Sequence, residues 1–467
     1  MRGFQRILQE KKAPGRDFDV NETNSRGDTL LYQACFHGRR DMAKIFLEDP
    51  RAQPHARASE GATISFTPLL IAIQRGHTDL VRDLLLDTRV DPSVAVGRFS
   101  ITPLLVASQE NDAALVETLL ADPRVKVNAR ILEGTTSLNI SSLLGHTEVV
   151  ELLLKSEDVD PNISSEGGMT PLLSACYQGH TDVVHLLLQH PKANVNQPSS
   201  NKISPMGAAL IQGNVDVVDL LLRVPGIDVN FCSPLQPPPL CIAVDSQNAQ
   251  IVETLLKNPE VIPNSVTPQG DTPLCLAVKN GSLALVEKLL QHPLTSPSPR
   301  NRRGESPLFI AVLKNQAGIC ARLLNDERVL VNDGNSDQVT PLLCAFQTGA
   351  VEIIKMLLKD PRTDVNLPAE DGQTPFFVAC TQADSELLEL LLMSGKPIDT
   401  EMAVTKEVTQ LYDSSEQWKT RLRRLGKPVV TGYDFAKYQK RTEITDLLDS
   451  YFDTPETVVA ELKKFYA

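Results

Sequence analysis

Gly168-Met169-Thr170-Pro171-Leu172 opens a stretch that runs through Gly179-His180 and Val183-Val184 to Leu186-Leu187-Leu188. It closes at Val195-Asn196. Each fragment has a physical reading. Thr-Pro starts a helix, because the hydroxyl caps free N–H groups and proline at the first helical position loses no hydrogen bond. Gly179 ends that short helix. Val183, Val184, Leu187 and Leu188 fall at the one-face spacing of a second helix. An Asn-bearing loop then leads back to another Thr-Pro-like tripeptide.

The same anchor recurs at Thr67, Thr102, Thr136, Thr170, Ser204, Pro238, Thr272, Ser306, Thr340 and Thr374. The first gap is 35 residues and every later one is 34. A fixed period of this size is the signature of a repeat architecture. Counted from the anchor, proline stands at +1 in every copy except that at Thr136. Alanine recurs at +5 (Ala72, Ala107, Ala175 and later copies), and glycine at +9 (Gly76, Gly145, Gly179, Gly213, Gly281, Gly349). Asp-Pro pairs such as Asp122-Pro123 and Asp360-Pro361 stop the second helix. Asparagine recurs at +26, from Asn128 to Asn366. An earlier copy starts at Thr29, with an insertion around 51–63, and a later one at Thr431, so about twelve repeats are expected.

Thr-Pro-Leu, Ala, Gly-His, Val-Val-x-Leu-Leu-Leu and Asp-Val-Asn together resemble the ankyrin repeat. The departures are regular. Leu or Phe stands where that family has His after Thr-Pro-Leu, and a Pro-containing link lengthens the repeat by one residue beyond the usual ~33. The resemblance implies an all-α, ankyrin-type solenoid of stacked helix pairs with hairpin-like loop tips, whose work is protein–protein interaction. One repeat buries too little apolar surface to fold alone, so neighbours must stack and end repeats must turn a polar face outward. Helices packed about 8–10 Å apart would give a curved array on the order of 100 Å long. The organisation read from the sequence is an N-terminal capping segment (1–26), repeats 1–11 (27–399), a helical insert (400–430), and a degenerate terminal repeat with a C-terminal cap (431–467).

Composition narrows the function. The chain has 467 residues, 42% of them hydrophobic, and a net charge of −12. An acidic chain repels phosphate backbones, so nucleic acid is not an expected partner. No run reaches the ~20 apolar residues of a membrane span, and the N-terminus lacks the apolar core of a secretory signal. Asn-x-Ser/Thr sequons occur at Asn21, Asn139 and Asn162, but without such a signal glycosylation is not expected. Seven of the eight cysteines sit at internal repeat positions and read as small buried hydrophobes in a reducing compartment, cytoplasmic or nuclear. His77, His146 and His180 all fall at +10, a scaffold position rather than a metal site. No catalytic, cofactor-binding or metal motif is present. Ser394-Gly395-Lys396-Pro397 lacks the earlier glycine of a phosphate loop. The basic run Lys419, Arg421, Arg423, Arg424, Lys427, Lys437, Lys440 and Arg441 reads as a solvated cap face.

The recognition surface follows from variation. A framework residue repeats, whereas a contact residue changes from copy to copy. By the resemblance, the exposed end of each first helix, at +7/+8, and the loop tip just before the anchor face a partner on the concave side. Leu143, Leu144, Tyr177 and Ile211 place apolar and aromatic groups there in consecutive repeats, the mark of an interface centre. Gln178, Gln212, Gln74 and Arg75 form its polar rim. The expectation is a monomeric protein–protein scaffold or adaptor with no enzymatic activity, binding one or more proteins and no cofactor. The alternatives are a regulatory or inhibitory subunit of a partner enzyme, and an effector with its active site in the 400–430 insert.

Overall fold

The computed structural model describes residues 19–55, 66–97, 99–131, 133–381, 385–401, 403–405 and 429–466. Most of the N-terminal segment and most of the insert read at 400–430 lie outside the described residues, as do Lys419–Lys427 of the basic run.

Two compact units divide the chain, Met1–Gln236 and Pro237–Ala467. Among its described residues the first contains six helix pairs: α1 (Leu30–Phe36) with α2 (Arg40–Leu47), α3 (Pro68–Gln74) with α4 (Thr78–Leu85), and α5 (Pro103–Gln109) with α6 (Ala113–Leu120). They continue with α7 (Ser137–Leu144) and α8 (Thr147–Leu154), α9 (Pro171–Gln178) and α10 (Thr181–Gln189), and α11 (Pro205–Gln212) and α12 (Val215–Leu222). The second unit repeats the pattern: α13 (Pro239–Asp245) and α14 (Ala249–Leu256), α15 (Pro273–Lys279) and α16 (Leu283–Gln291), α17 (Pro307–Leu313) and α18 (Ala317–Leu324). After these come α19 (Pro341–Thr348) and α20 (Val351–Lys359), then α21 (Pro375–Thr381) and α22 (Glu386–Met393). Strands β1 (Ala403–Thr405) and β2 (Val429–Thr431) pair antiparallel, Ala403 opposite Thr431. Then follow α23 (Gly432–Tyr438), α24 (Thr442–Asp453) and α25 (Pro455–Tyr466).

The anchors do what their chemistry predicts. The hydroxyls of Thr67, Thr102, Thr170, Ser204, Thr272, Ser306 and Thr340 each accept a hydrogen bond from the backbone N–H three residues on. Thr136 lacks the proline and uses a reciprocal capping box with Asn139 instead. First helices pack on first helices of adjacent repeats, and second helices on second helices, within each unit. Leu80, Val81 and Leu84, and their counterparts Val183, Val184 and Leu187, are fully buried, so the apolar stripe of every second helix forms the core. In the second unit, the pair β1–β2 delivers the chain to α23, whose Phe435 ring packs 6.1 Å from that of Phe377 on α21. The last helix, α25, lies against α22 and α24.

Asparagine at +26 links neighbouring repeats. Asn128 Nδ2 donates to the Asp158 carbonyl (2.7 Å) and its Oδ1 accepts from the Asp160 N–H (3.0 Å). Asn162, Asn196, Asn264, Asn332 and Asn366 make the same double bridge to the next repeat. All three sequon amides are engaged: Asn21 to the Arg51 carbonyl, Asn162 in this ladder, and buried Asn139 to the carbonyls of Ile163 and Met169. All eight cysteines are free thiols, and all but Cys232 are buried. Burial pushes the thiols of Cys35 and Cys380 up to about 12, and that of Cys176 higher still.

Candidate interaction surface

Three consecutive first helices, α7, α9 and α11, pack side by side, and their C-terminal ends carry Leu143-Leu144, Tyr177-Gln178 and Ile211-Gln212. Each helix stops at a left-handed glycine, Gly145, Gly179 or Gly213, which aims the two preceding side chains outward. Leu143, Leu144, Tyr177 and Ile211 are 37%, 44%, 43% and 49% exposed. Side chains of this size in ordinary core positions here are at or near zero, so the exposure marks a surface rather than loose packing. Gln178 and Gln212 are exposed beside them.

The +10 side chains of the following repeats fix the ends of α7 and α9, and that of α5 before them. His180 Nε2 lies 3.1 Å from the Leu143 carbonyl, His146 Nδ1 lies 2.9 Å from the Ser108 carbonyl, and Asn214 Nδ2 donates to the Cys176 carbonyl at 3.1 Å. The carbonyls only accept, so His146 carries its proton on Nδ1 and His180 on Nε2. The scaffold position read from the sequence thus holds side chains that bridge adjacent repeats. Among the described residues no cluster of His, Cys, Asp or Glu is arranged to hold a metal ion.

Gln74 and Arg75 lie farther off. They end α3, which packs on α5, and α5 in turn packs on α7. The Arg75 guanidinium lies over the Phe36 ring, 4.1 Å from its centroid, a cation–π contact inside the framework. The structure thus brings six of the eight candidate residues onto adjacent helices and leaves Gln74 and Arg75 two helices away.

One recurring device was missed in the sequence. Arginine at +22, in Asp-x-Arg, is held by the aspartate two residues before it and donates backward to the end of the preceding second helix. Arg89 reaches the carbonyls of Leu47 (2.6 Å), Asp49, Pro50 and Ala52 (3.1 Å each). Arg124 reaches Leu85, Thr88 and Val90, Arg328 reaches Leu290, Pro293 and Thr295, and Arg362 reaches Leu324, Asp326, Glu327 and Val329. The cation thereby meets the negative end of a helix and its orphan carbonyls. Lys396 does the same with the carbonyls of Asp360 and Thr363, so the Ser-Gly-Lys-Pro segment is a framework contact and not a phosphate loop. The Asp-x-Arg spacing was present in the sequence, but was read only for its helix-stopping Asp-Pro.

A sequence profile described as "Ankyrin repeats (3 copies)" matches residues 4–95, 31–131, 104–199, 205–301 and 294–369. The chain belongs to the ankyrin-repeat family. Ankyrin repeats are generally protein–protein interaction modules, and the ankyrin fold is typically non-catalytic. Among solved structures, the crystal structure of the human ASB11 ankyrin repeat domain is similar, at 25% identity and a TM-score of 0.41. The match covers 48% of this chain and 98% of that one. A search of curated proteins gave no match. No helix among the described residues of this ankyrin-repeat chain is long and apolar enough to cross a membrane.

Proposed function

We propose that this ankyrin-repeat protein is a scaffold or adaptor that holds a partner protein on the ends of α7, α9 and α11, with Leu143, Leu144, Tyr177 and Ile211 as the apolar centre. The observation that carries the reading is the exposure of four large apolar side chains on three helices packed in sequence. Gln178 and Gln212 supply the polar edge. Gln74 and Arg75 form an outlying contact for a larger partner. Recognition is rigid-body: the glycine caps and the His/Asn bridges hold the backbone, so binding orders few groups and costs little entropy. The protein acts as a monomer in the cytoplasm or nucleus, where a reducing environment suits seven buried free thiols. Residues 1–26 cap the array, 27–399 form its repeats, 400–430 are an insert and 431–467 close the far end.

The test is affinity capture with wild-type protein and a Leu144→Glu/Tyr177→Glu/Ile211→Glu variant, both checked for the same melting curve. Partners held by wild type should be lost by the variant by tenfold or more. Equal recovery of every partner by both proteins overturns the patch.

A further inference from the structure

A second site of different chemistry lies in the second compact unit, where a cavity of about 510 Å³ opens between the end of α15 and two neighbouring loop tips. Gln269, Asp271, Lys279, Asn301, Arg302 and Arg303 line it. Three cations face one carboxylate, in a chain whose net charge is −12. The carboxylate is already neutralised. Lys279 Nζ donates to both oxygens of Asp271 at 2.7 Å, and Asn301 Nδ2 donates to Oδ1 at 3.1 Å. Asp271 and Asn301 are 5% and 8% exposed, so this part of the floor is fixed. The two arginines are exposed, and among the described residues neither is paired with a carboxylate.

Arg302 is held in place. Gly270 sits at φ +82°, and a Cβ there would lie 2.9 Å from both Cγ and the backbone nitrogen of Arg302. The arginine stem therefore crosses the tip where only glycine leaves room. The Arg302 N–H donates to the Gln269 carbonyl, and the Ser336 N–H donates to the Arg303 carbonyl, so both arginines stand on tips tied to their neighbours. Arg300, on the same loop, is consumed by an ion pair with Asp333, which leaves Arg302 and Arg303 as the available charge.

We infer that this cavity is a docking site for an acidic peptide segment, with Arg302 and Arg303 as bidentate carboxylate receptors and Lys279, oriented by Asp271, donating from the floor. Carboxylate fits the forked donors of two guanidinium groups. A volume of about 510 Å³ takes two or three side chains rather than a folded surface. The site is independent of the apolar patch, which lies in the other compact unit.

The experiment titrates a fluorescein-labelled hexaglutamate peptide into the full chain at low salt and follows polarisation. Wild type should bind saturably. Arg302→Ser/Arg303→Ser should weaken binding at least tenfold, with an unchanged melting curve because both side chains are exposed. The charge-matched control Lys257→Ser/Lys359→Ser removes two exposed lysines at the C-terminal ends of second helices and should leave binding within twofold. No binding by wild type, or an equal loss in the control, overturns the proposal. So does a labelled oligo-dT that binds more tightly than the peptide, or inorganic phosphate that displaces the peptide beyond a chloride control of equal ionic strength.

Discussion

The repeats anchored at Thr67 and Thr102 and those anchored at Thr136, Thr170 and Ser204 share one compact unit and one backbone pattern, yet their joints differ. In the former, Arg89 and Arg124 lock the second helix to the helix before it. In the latter, the same position carries Asp158, Lys192 and Gly226, of which only Lys192 reaches back, to the Glu157 carbonyl at 3.1 Å. The buried hydroxyls of Ser108 on α5, in the clamped set, and of Ser142 on α7 have no hydrogen-bond partner among the described residues. The candidate binding surface thus lies in repeats that lack the Asp-x-Arg clamp, where asparagine, histidine and Lys192 contacts bridge the joints. The arginine clamps and the proposed recognition surface occupy different repeats, which fits the general tendency of binding elements to sit at the less stable end of a structure.

Four variants probe that contrast, the largest effect first. Arg89→Met strips a charged donor from four carbonyls and from Asp87, and should cost about 2 kcal/mol after allowing for solvent exposure, read from urea denaturation. Acid sensitivity should change with it. Hydrogen bonds from Arg89 and Arg124 hold the carboxyls of Asp87 and Asp122 below the ordinary aspartate value. A depressed folded value means the stabilisation is complete above the unfolded value near ~4 and is lost as pH falls through the folded one. Wild type should therefore lose stability below about pH 4, and Arg89→Met should lose less over that interval. A variant with an unaltered acid slope would show that the clamp carries no linkage.

Gly145→Ala comes next. Its Cβ would sit 2.7 Å from the His180 ring, at a φ of +75°, so it should cost about 1–2 kcal/mol and disturb Leu144. Capture of the partner should fall with it, whereas Gly76→Ala, where no atom lies within 4 Å, should cost backbone strain alone. The smallest effect is a gain. Ser156→Asp/Asp158→Arg writes the missing Asp-x-Arg into the Thr136 repeat and should add about 1 kcal/mol in thermal denaturation. No gain would mean that the preceding helix end is already satisfied.

Most of the fold was legible because a 34-residue period leaves nothing to chance: Thr170-Pro171 begins a helix and Gly179 ends it wherever the motif recurs. The apolar ends of the first helices were legible for the converse reason. Leu143, Tyr177 and Ile211 place large apolar groups, in three consecutive repeats, at a position whose residue changes from copy to copy. Long-range partnerships were not. Nothing local in Asp87-Thr88-Arg89 announces that the arginine turns toward Leu47, 42 residues earlier in sequence. Asn139 reads as a sequon until its amide is found between two carbonyls of the next loop. Arg75 was grouped with the patch because repeat positions are equivalent, but the side chain lies over Phe36, which only packing reveals. The pair β1–β2 was missed for a related reason, since its two three-residue segments meet across a long stretch of sequence.

The interior thiols give the chain a built-in stopwatch. Cys35 lies in the most N-terminal described repeat, Cys176 beneath the proposed surface, and Cys380 near the far end. A shielded, protonated sulfur is inert to alkylating reagents until its own repeat opens, so the rate at which each residue gains mass under iodoacetamide clocks the breathing of its neighbourhood without any engineered label. An occupied surface around Tyr177 should slow the Cys176 clock and leave that of Cys380 ticking unchanged.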